Sequence, residues 1–124
     1  MIASAIARNV RKFQTAAMTT HPLDRLFALI ASRKGGDPNT SYTAKLLAKG
    51  RLQCAKKLGE EAIETCLAAV AQDKTALTNE SADLLYHLLV LWAAAGIAPG
   101  DVAAELTRRE SSSGIAEKRA RAKL

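Results

Sequence analysis

Residues 51–95 read RLQCAKKLGEEAIETCLAAVAQDKTALTNESADLLYHLLVLWAAA, and this stretch decides the fold. Ala and Leu supply its apolar content, which favours helices over strands, and nothing in it alternates as a strand would. Two helices are predicted, Arg51 to Ala71 and Lys74 to Ala95. Gln72 and Asp73 form the turn between them, with Asp73 as N-cap of the second helix and Gly96 as its stop. Five carboxylates sit on this hairpin, as Glu60-Glu61-x-x-Glu64 and Glu80-x-x-Asp83. Residues three or four apart share a helix face, so each set can converge on one point. In a hairpin that reverses near residue 72, Glu64 lies level with Glu80 and Glu61 level with Asp83. Two rungs of facing carboxylates are expected.

Taken alone, the first helix fits an ordinary solvated acidic face. Gln53, Lys57, Glu60, Glu61 and Glu64 share a sector of about 100°, opposite Leu52, Ala55, Ile63, Cys66 and Val70. The second helix does not fit that reading. Leu84, Leu85, Leu88, Leu89 and Val90 surround it as a buried helix requires, yet Glu80, Asp83 and His87 lie within one arc of about 60°. Facing carboxylates in a partly buried site repel, and need a cation or a proton between them. Oxygen ligands without a thiolate select a hard ion, Mg²⁺ or Mn²⁺. Such an ion can bind phosphate oxygens and activate a water for attack on phosphorus, with Glu60 or Glu61 orienting or deprotonating that water. Arg33, Lys34, Lys45, Lys49, Lys56 and Lys57 are basic residues suited to a polyphosphate, although each taken singly is ordinary surface charge. His87 is expected as a core histidine rather than a ligand.

Working outward, a helix is predicted from Pro22 to Lys34, then a loop at Gly35-Gly36-Asp37-Pro38-Asn39. A short helix from Tyr42 to Lys49 follows, capped by Ser41 and stopped by Gly50. Pro99 to Arg109 forms a last short helix before a Ser-rich hinge and a basic tail. At 124 residues the chain is one domain, with residues 18–110 as its helical body and 111–124 as the tail. Its net charge of +6 suggests nucleic acid until the charge is located: residues 1–22 carry +3, residues 107–124 carry +4, and the rest is −1. Cys54 and Cys66 have no zinc spacing and cannot pair on one helix, which fits small core or boundary thiols in a reducing, cytoplasmic setting. No run is long and apolar enough for a membrane span. Residues 1–17 are Arg-containing and acid-free, as in a transit peptide, but Met18 opens a plausible start. An upstream extension, disordered and dispensable, is expected.

The two acidic motifs resemble those of the all-α nucleoside triphosphate pyrophosphohydrolase superfamily of MazG type. Within it, the chain resembles the phosphoribosyl-ATP pyrophosphatase family of histidine biosynthesis. That resemblance covers Leu23 to Lys118 and rests on Arg33-Lys34 before the Gly-Asp-Pro loop, Ser41-Tyr42-Thr43-Ala44-Lys45-Leu46, and Lys57-Leu58-Gly59-Glu60-Glu61-Ala62. Glu80 to His87 and Ser113-Gly114-Ile115 add to it. It implies Mg²⁺-dependent hydrolysis of phosphoribosyl-ATP to phosphoribosyl-AMP and pyrophosphate. Carried over, Glu61, Glu64, Glu80 and Asp83 become metal ligands, and Glu60 a further ligand or the water-orienting base. Tyr42, Thr43 and Lys45 line the substrate site. Some relatives are fused to a zinc cyclohydrolase; the Cys and His set for it is missing from these residues, so a monofunctional chain is expected.

Two other readings fit parts of the sequence. A MazG-type enzyme acting on ordinary or damaged nucleoside triphosphates would carry the same acidic motifs. A helical module binding nucleic acid or a protein partner would use the basic tails, against which the core charge of −1 weighs. A homodimer is also expected, because a helix apolar nearly all round is hard to cover with four or five short helices.

Overall fold

The computed structural model describes residues 21–111 and 114–122, and the expectations for residues 1–17 lie outside them. Six helices occupy the described residues, and no strand: α1 (Pro22–Ser32), α2 (Tyr42–Lys49), α3 (Arg51–Val70), α4 (Lys74–Ala95), α5 (Pro99–Glu110) and α6 (Gly114–Ala122). The all-α prediction holds, and the boundaries differ by no more than two residues. α1 stops at Ser32 rather than Lys34, because Arg33 to Gly36 closes a turn through Gly36 N–H to Arg33 O, 2.9 Å. The basic tail contains the additional helix α6, which the Ser-rich approach to it obscures.

The caps follow the sequence. Ser41 accepts from Ala44 N–H at 3.1 Å and Asp73 from Ala76 N–H at 3.0 Å, each satisfying one orphan donor of a first turn. Gly50, at φ 91°, ends α2 and begins α3, so these helices change direction without a loop. α3 and α4 both end in a Schellman arrangement. At the end of α4, Ile97 N–H reaches Trp92 O at 2.9 Å around Gly96, which takes φ 74°. At the end of α3 the same left-handed position falls to Gln72, φ 58°, with Asp73 N–H bonding Ala68 O at 3.4 Å.

The core lies where α1, α2, α3 and α4 meet. Ile30, Leu46, Cys54, Leu89 and Val90 are fully buried in one cluster, with Leu23, Phe27, Tyr86 and Trp92 packed around it. Each large aliphatic side chain there contributes about 1.5–3 kcal/mol on transfer from water. Cys54 behaves as a small apolar residue: its Sγ donates to Leu46 O at 3.4 Å, and burial pushes its thiol up. Cys66 is exposed, and both cysteines are free.

The orientation of α3 reverses the ordinary arrangement of an amphipathic helix. Glu61 is buried, whereas Leu52 is 86% exposed, Ile63 64%, Leu67 63% and Val70 81%. The sector that holds Glu61 and Glu64 is turned toward Glu80 of α4, and its apolar opposite faces outward. α4 is less enclosed than its composition suggests, since Leu85 is 40% exposed. No single described helix is long and apolar enough to cross a membrane; α4 and α5 pass that test only as a pair bent by 108°.

Gln72 supplies a direct check on the hairpin turn. A non-glycine residue at a left-handed position costs about 1 kcal/mol. Gln72→Gly is expected to raise the melting temperature by a few degrees, measured by circular dichroism. An unchanged or lowered value would show that the Gln72 side chain stabilises the turn by another route.

Candidate active site

The antiparallel pairing of α3 and α4 carries the carboxylates to one place. Glu61, Glu64 and Glu80 each offer an oxygen, and these oxygens lie within 4.8 Å of one another. Glu61 is buried, Glu80 half-buried and Glu64 exposed, so the group opens to solvent on one side. Glu61 Oε2 and Glu80 Oε2 are buried without a hydrogen-bond partner. A carboxylate has only acceptors, so three of them together leave lone pairs that no neighbour of the same kind can satisfy. Burial pushes the Glu61 and Glu80 carboxyls above the usual range. The bond each protonated form can make to Glu64, and the charges of Glu64 and Asp83, push the same way. These donors suit a hard divalent cation.

Asp83 is exposed and lies outside the group of three oxygens within 4.8 Å of one another, while its charge acts on Glu61 and Glu80. Glu60 is also outside the group. It is exposed and bonded to Lys57 Nζ at 2.9 Å, and that hydrogen bond holds its carboxyl low.

His87 stands behind Glu61 as the core histidine expected from sequence. Its Nε2 lies 3.8 Å from Glu61 Oε1, too far for a hydrogen bond, and its Nδ1 is buried without a partner. Burial, and secondarily the Lys57 charge, lower its pKa against the pull of Asp83 and Glu60, so the ring is neutral at pH 7. Two rings pack edge-on against it, Tyr86 with centroids 5.0 Å away and Tyr42 at 6.3 Å.

The expected substrate-binding residues divide by location. Tyr42 is about half exposed on α2, beside His87. The Thr43 hydroxyl is committed to the Tyr86 phenol at 2.5 Å, a bond that ties α2 to α4. Lys56 and Lys57 lie close enough to Glu60 to act on its charge. Lys45 and Lys49 are exposed on α2, and Arg33 is exposed where α1 ends. Lys34 is elsewhere: it lines a groove with Phe27, Ala31, Ala93, Gly96, Ile97 and Ala98. Ala93 stands about 20 Å along the α4 axis from Glu80, at 1.5 Å per residue. Within one chain, Lys34 therefore belongs to the far end of the hairpin. Sequence reasoning passed over Thr65 and Tyr86, whose hydroxyls tie helices together around the site; neither carries the charge that marks a functional residue in a sequence.

Residues 23–110 match the phosphoribosyl-ATP pyrophosphohydrolase family over most of the chain. This chain belongs to that family. Proteins named phosphoribosyl-ATP pyrophosphatase resemble it closely. The one from Azospirillum brasilense is 60% identical over 99 residues, covering 80% of this chain and 89% of that protein. The one from Parvibaculum lavamentivorans is 64% identical over 99 residues, covering 80% and 91%. That of Methylobacterium radiotolerans is 61% identical over 104 residues, covering 84% and 97%. The acidic hairpin lies wholly inside the matched region. The chain is thus a hydrolase of this family, and the reading as a module without enzymatic activity gives way.

Proposed function

We propose that this chain hydrolyses phosphoribosyl-ATP, adding water across the α–β phosphoanhydride to give phosphoribosyl-AMP and pyrophosphate, as a step of histidine biosynthesis. The observation that carries the reading is the convergence of Glu61, Glu64 and Glu80, with buried oxygens that lack partners, inside the family-matched hairpin. The names of the relatives support the substrate. The acidic group alone would serve a different nucleoside triphosphate equally well.

In this reading Glu61, Glu64 and Glu80 hold Mg²⁺, with Mn²⁺ able to replace it, and Asp83 adds negative charge from the next turn. When bound, the ion neutralises phosphate charge and polarises the reacting phosphoryl group. The rest falls to the chain itself. Glu60, kept ionised by Lys57, accepts a hydrogen bond from the attacking water and orients it; its low pKa makes it a better orienting group than a strong base. Lys56 and Lys57 stand on the same helix to meet the phosphates, with Tyr42 and Lys45 presented from α2. Thr43 contributes by holding α2 in place through Tyr86. Arg33, Lys34 and Lys49 remain as outer basic residues. Neutral, buried His87 backs Glu61 without adding charge. A cytoplasmic location, where Cys54 and Cys66 stay reduced, belongs to the same proposal.

The outward face of α3 extends the proposal to a homodimer. Leu52, Ile63, Leu67 and Val70 form an apolar stripe that a single chain leaves in water, and a second copy offers the same stripe in return. Sequence pointed to surplus apolar surface on α4; the larger surplus is on α3.

Two measurements check these statements. Purified protein with Mg²⁺ is expected to turn over phosphoribosyl-ATP at least about a hundredfold more efficiently than ATP, GTP or their deoxy forms, a discrimination of about 2.7 kcal/mol. Equal or better turnover of a common triphosphate would transfer the chain to another specificity. Sedimentation at micromolar concentration should give twice the 13.2 kDa chain mass, and Ile63→Glu should shift it toward the single chain. A stable wild-type monomer would overturn the dimer.

A further inference from the structure

Thr65 is the side chain that joins the backbones of the two carboxylate-bearing helices at the level of the site. It sits on α3 one residue after Glu64, and its Oγ1 lies 2.7 Å from Glu61 O and 3.2 Å from Glu80 O. The first contact is the common bond of a helical Thr to the carbonyl one turn back. The second is unusual, since the Glu80 carbonyl belongs to the opposite helix, fifteen residues away in sequence. A hydroxyl has one proton, so the two carbonyls share it. Both acceptors are backbone atoms of residues whose side chains converge.

Two opposing tendencies meet at this point. Glu61, Glu64 and Glu80 repel one another, and that repulsion acts to part α3 from α4 where they approach. The largest buried apolar side chains lie further along, around Cys54, Leu89 and Val90, and near the site α3 buries only the small side chain of Ala68. A slide of one helix by a single residue moves its side chains by about 1.5 Å along the axis and turns them by about 100° relative to the partner. Cation ligands tolerate errors of only a few tenths of an ångström. Apolar packing is non-directional and constrains that register loosely, whereas a directional bond between the two helices constrains it at the site.

We propose that Thr65 is a positioning residue for the metal-binding carboxylates: its hydroxyl, shared between the Glu61 and Glu80 carbonyls, fixes the α3–α4 register in which their side chains meet. This rests on the reading of those carboxylates as a divalent-cation site. Thr65 touches neither substrate nor cation. Its effect passes through the two backbones that carry the ligands.

Thr65→Val keeps the shape of the side chain and deletes the donor; Thr65→Ser keeps the donor. Thr65→Ala makes the same deletion without a branched side chain. Mn²⁺ binding to the full chain, measured by titration calorimetry without substrate, is read beside the melting temperature in EDTA. Both deletions should weaken the Mn²⁺ dissociation constant by about tenfold, the scale seen when groups that orient metal ligands are removed, with Ser within about twofold of wild type. Deletion variants that melt lower yet bind Mn²⁺ as tightly as wild type would reduce Thr65 to a stabilising contact and overturn the proposal. So would a Ser variant as weak as the Val variant. A wild type that binds no Mn²⁺ would instead overturn the cation site itself, a failure visible before any variant is compared.

Discussion

Three carboxylates brought within a few ångströms of one another are an unfavourable arrangement, and the rest of this molecule is organised around sustaining it. Glu61 and Glu80 are held partly out of water, where like charges repel most and where each carboxyl is pushed toward its protonated form. Lys57, whose charge acts against this on Glu61, is itself bonded to Glu60, and the ring beside Glu61, His87, is neutral. A folded chain tolerates such a cluster when other contacts fix it and a ligand relieves it. The fixing contacts are the apolar cluster of Ile30, Leu46, Cys54, Leu89 and Val90, the capped turn at Asp73, and the bond from Thr65 across the hairpin. The relief is the role assigned to the divalent ion.

The same constraint explains why α3 is turned the unusual way. A helix that must direct Glu61 and Glu64 at its partner cannot also direct Leu52, Ile63, Leu67 and Val70 there. With charge facing inward at the site, the apolar stripe faces outward. The dimer proposed above would then follow from the acidic site rather than stand as a separate feature. α2 has a related place: Thr43 meets Tyr86 and Tyr42 leans on His87, so α2 is braced by the helix that carries Glu80.

Most of the fold was legible in the sequence because its signals are local. Ser41, Gly50, Asp73 and Gly96 mark helix ends through hydrogen bonds and backbone angles that depend on neighbours only, and each acts where expected. The spacing of Glu61, Glu64 and Glu80 was legible for the same reason, since helix periodicity and one turn fix it. Asp83 needs more than the count. It lies level with Glu61 across the hairpin, but whether a side chain points between the helices depends on how each is rotated about its own axis, and counting residues does not give that rotation. The outward turn of the apolar face of α3 lies beyond the pattern on similar grounds, because hydrophobic pattern says which face is apolar and not which way the helix is rotated. Thr65 and Tyr86 were invisible. An uncharged hydroxyl becomes significant only through the partner it finds, and here those partners are fifteen and forty-three residues distant.

The central claim is that the converging carboxylates bind a divalent cation, and thermal melting of wild type and Glu80→Gln in EDTA and in Mg²⁺ tests it most directly. In EDTA the variant should melt at or above the wild-type temperature, since one charge of a repelling group is removed. Mg²⁺ should raise the wild-type melting temperature, by the equivalent of about 2.7 kcal/mol at a hundredfold excess over its dissociation constant, and should raise that of the variant far less. A wild type indifferent to Mg²⁺, with a variant that melts several degrees lower, would show that Glu80 serves the scaffold and would contradict the account.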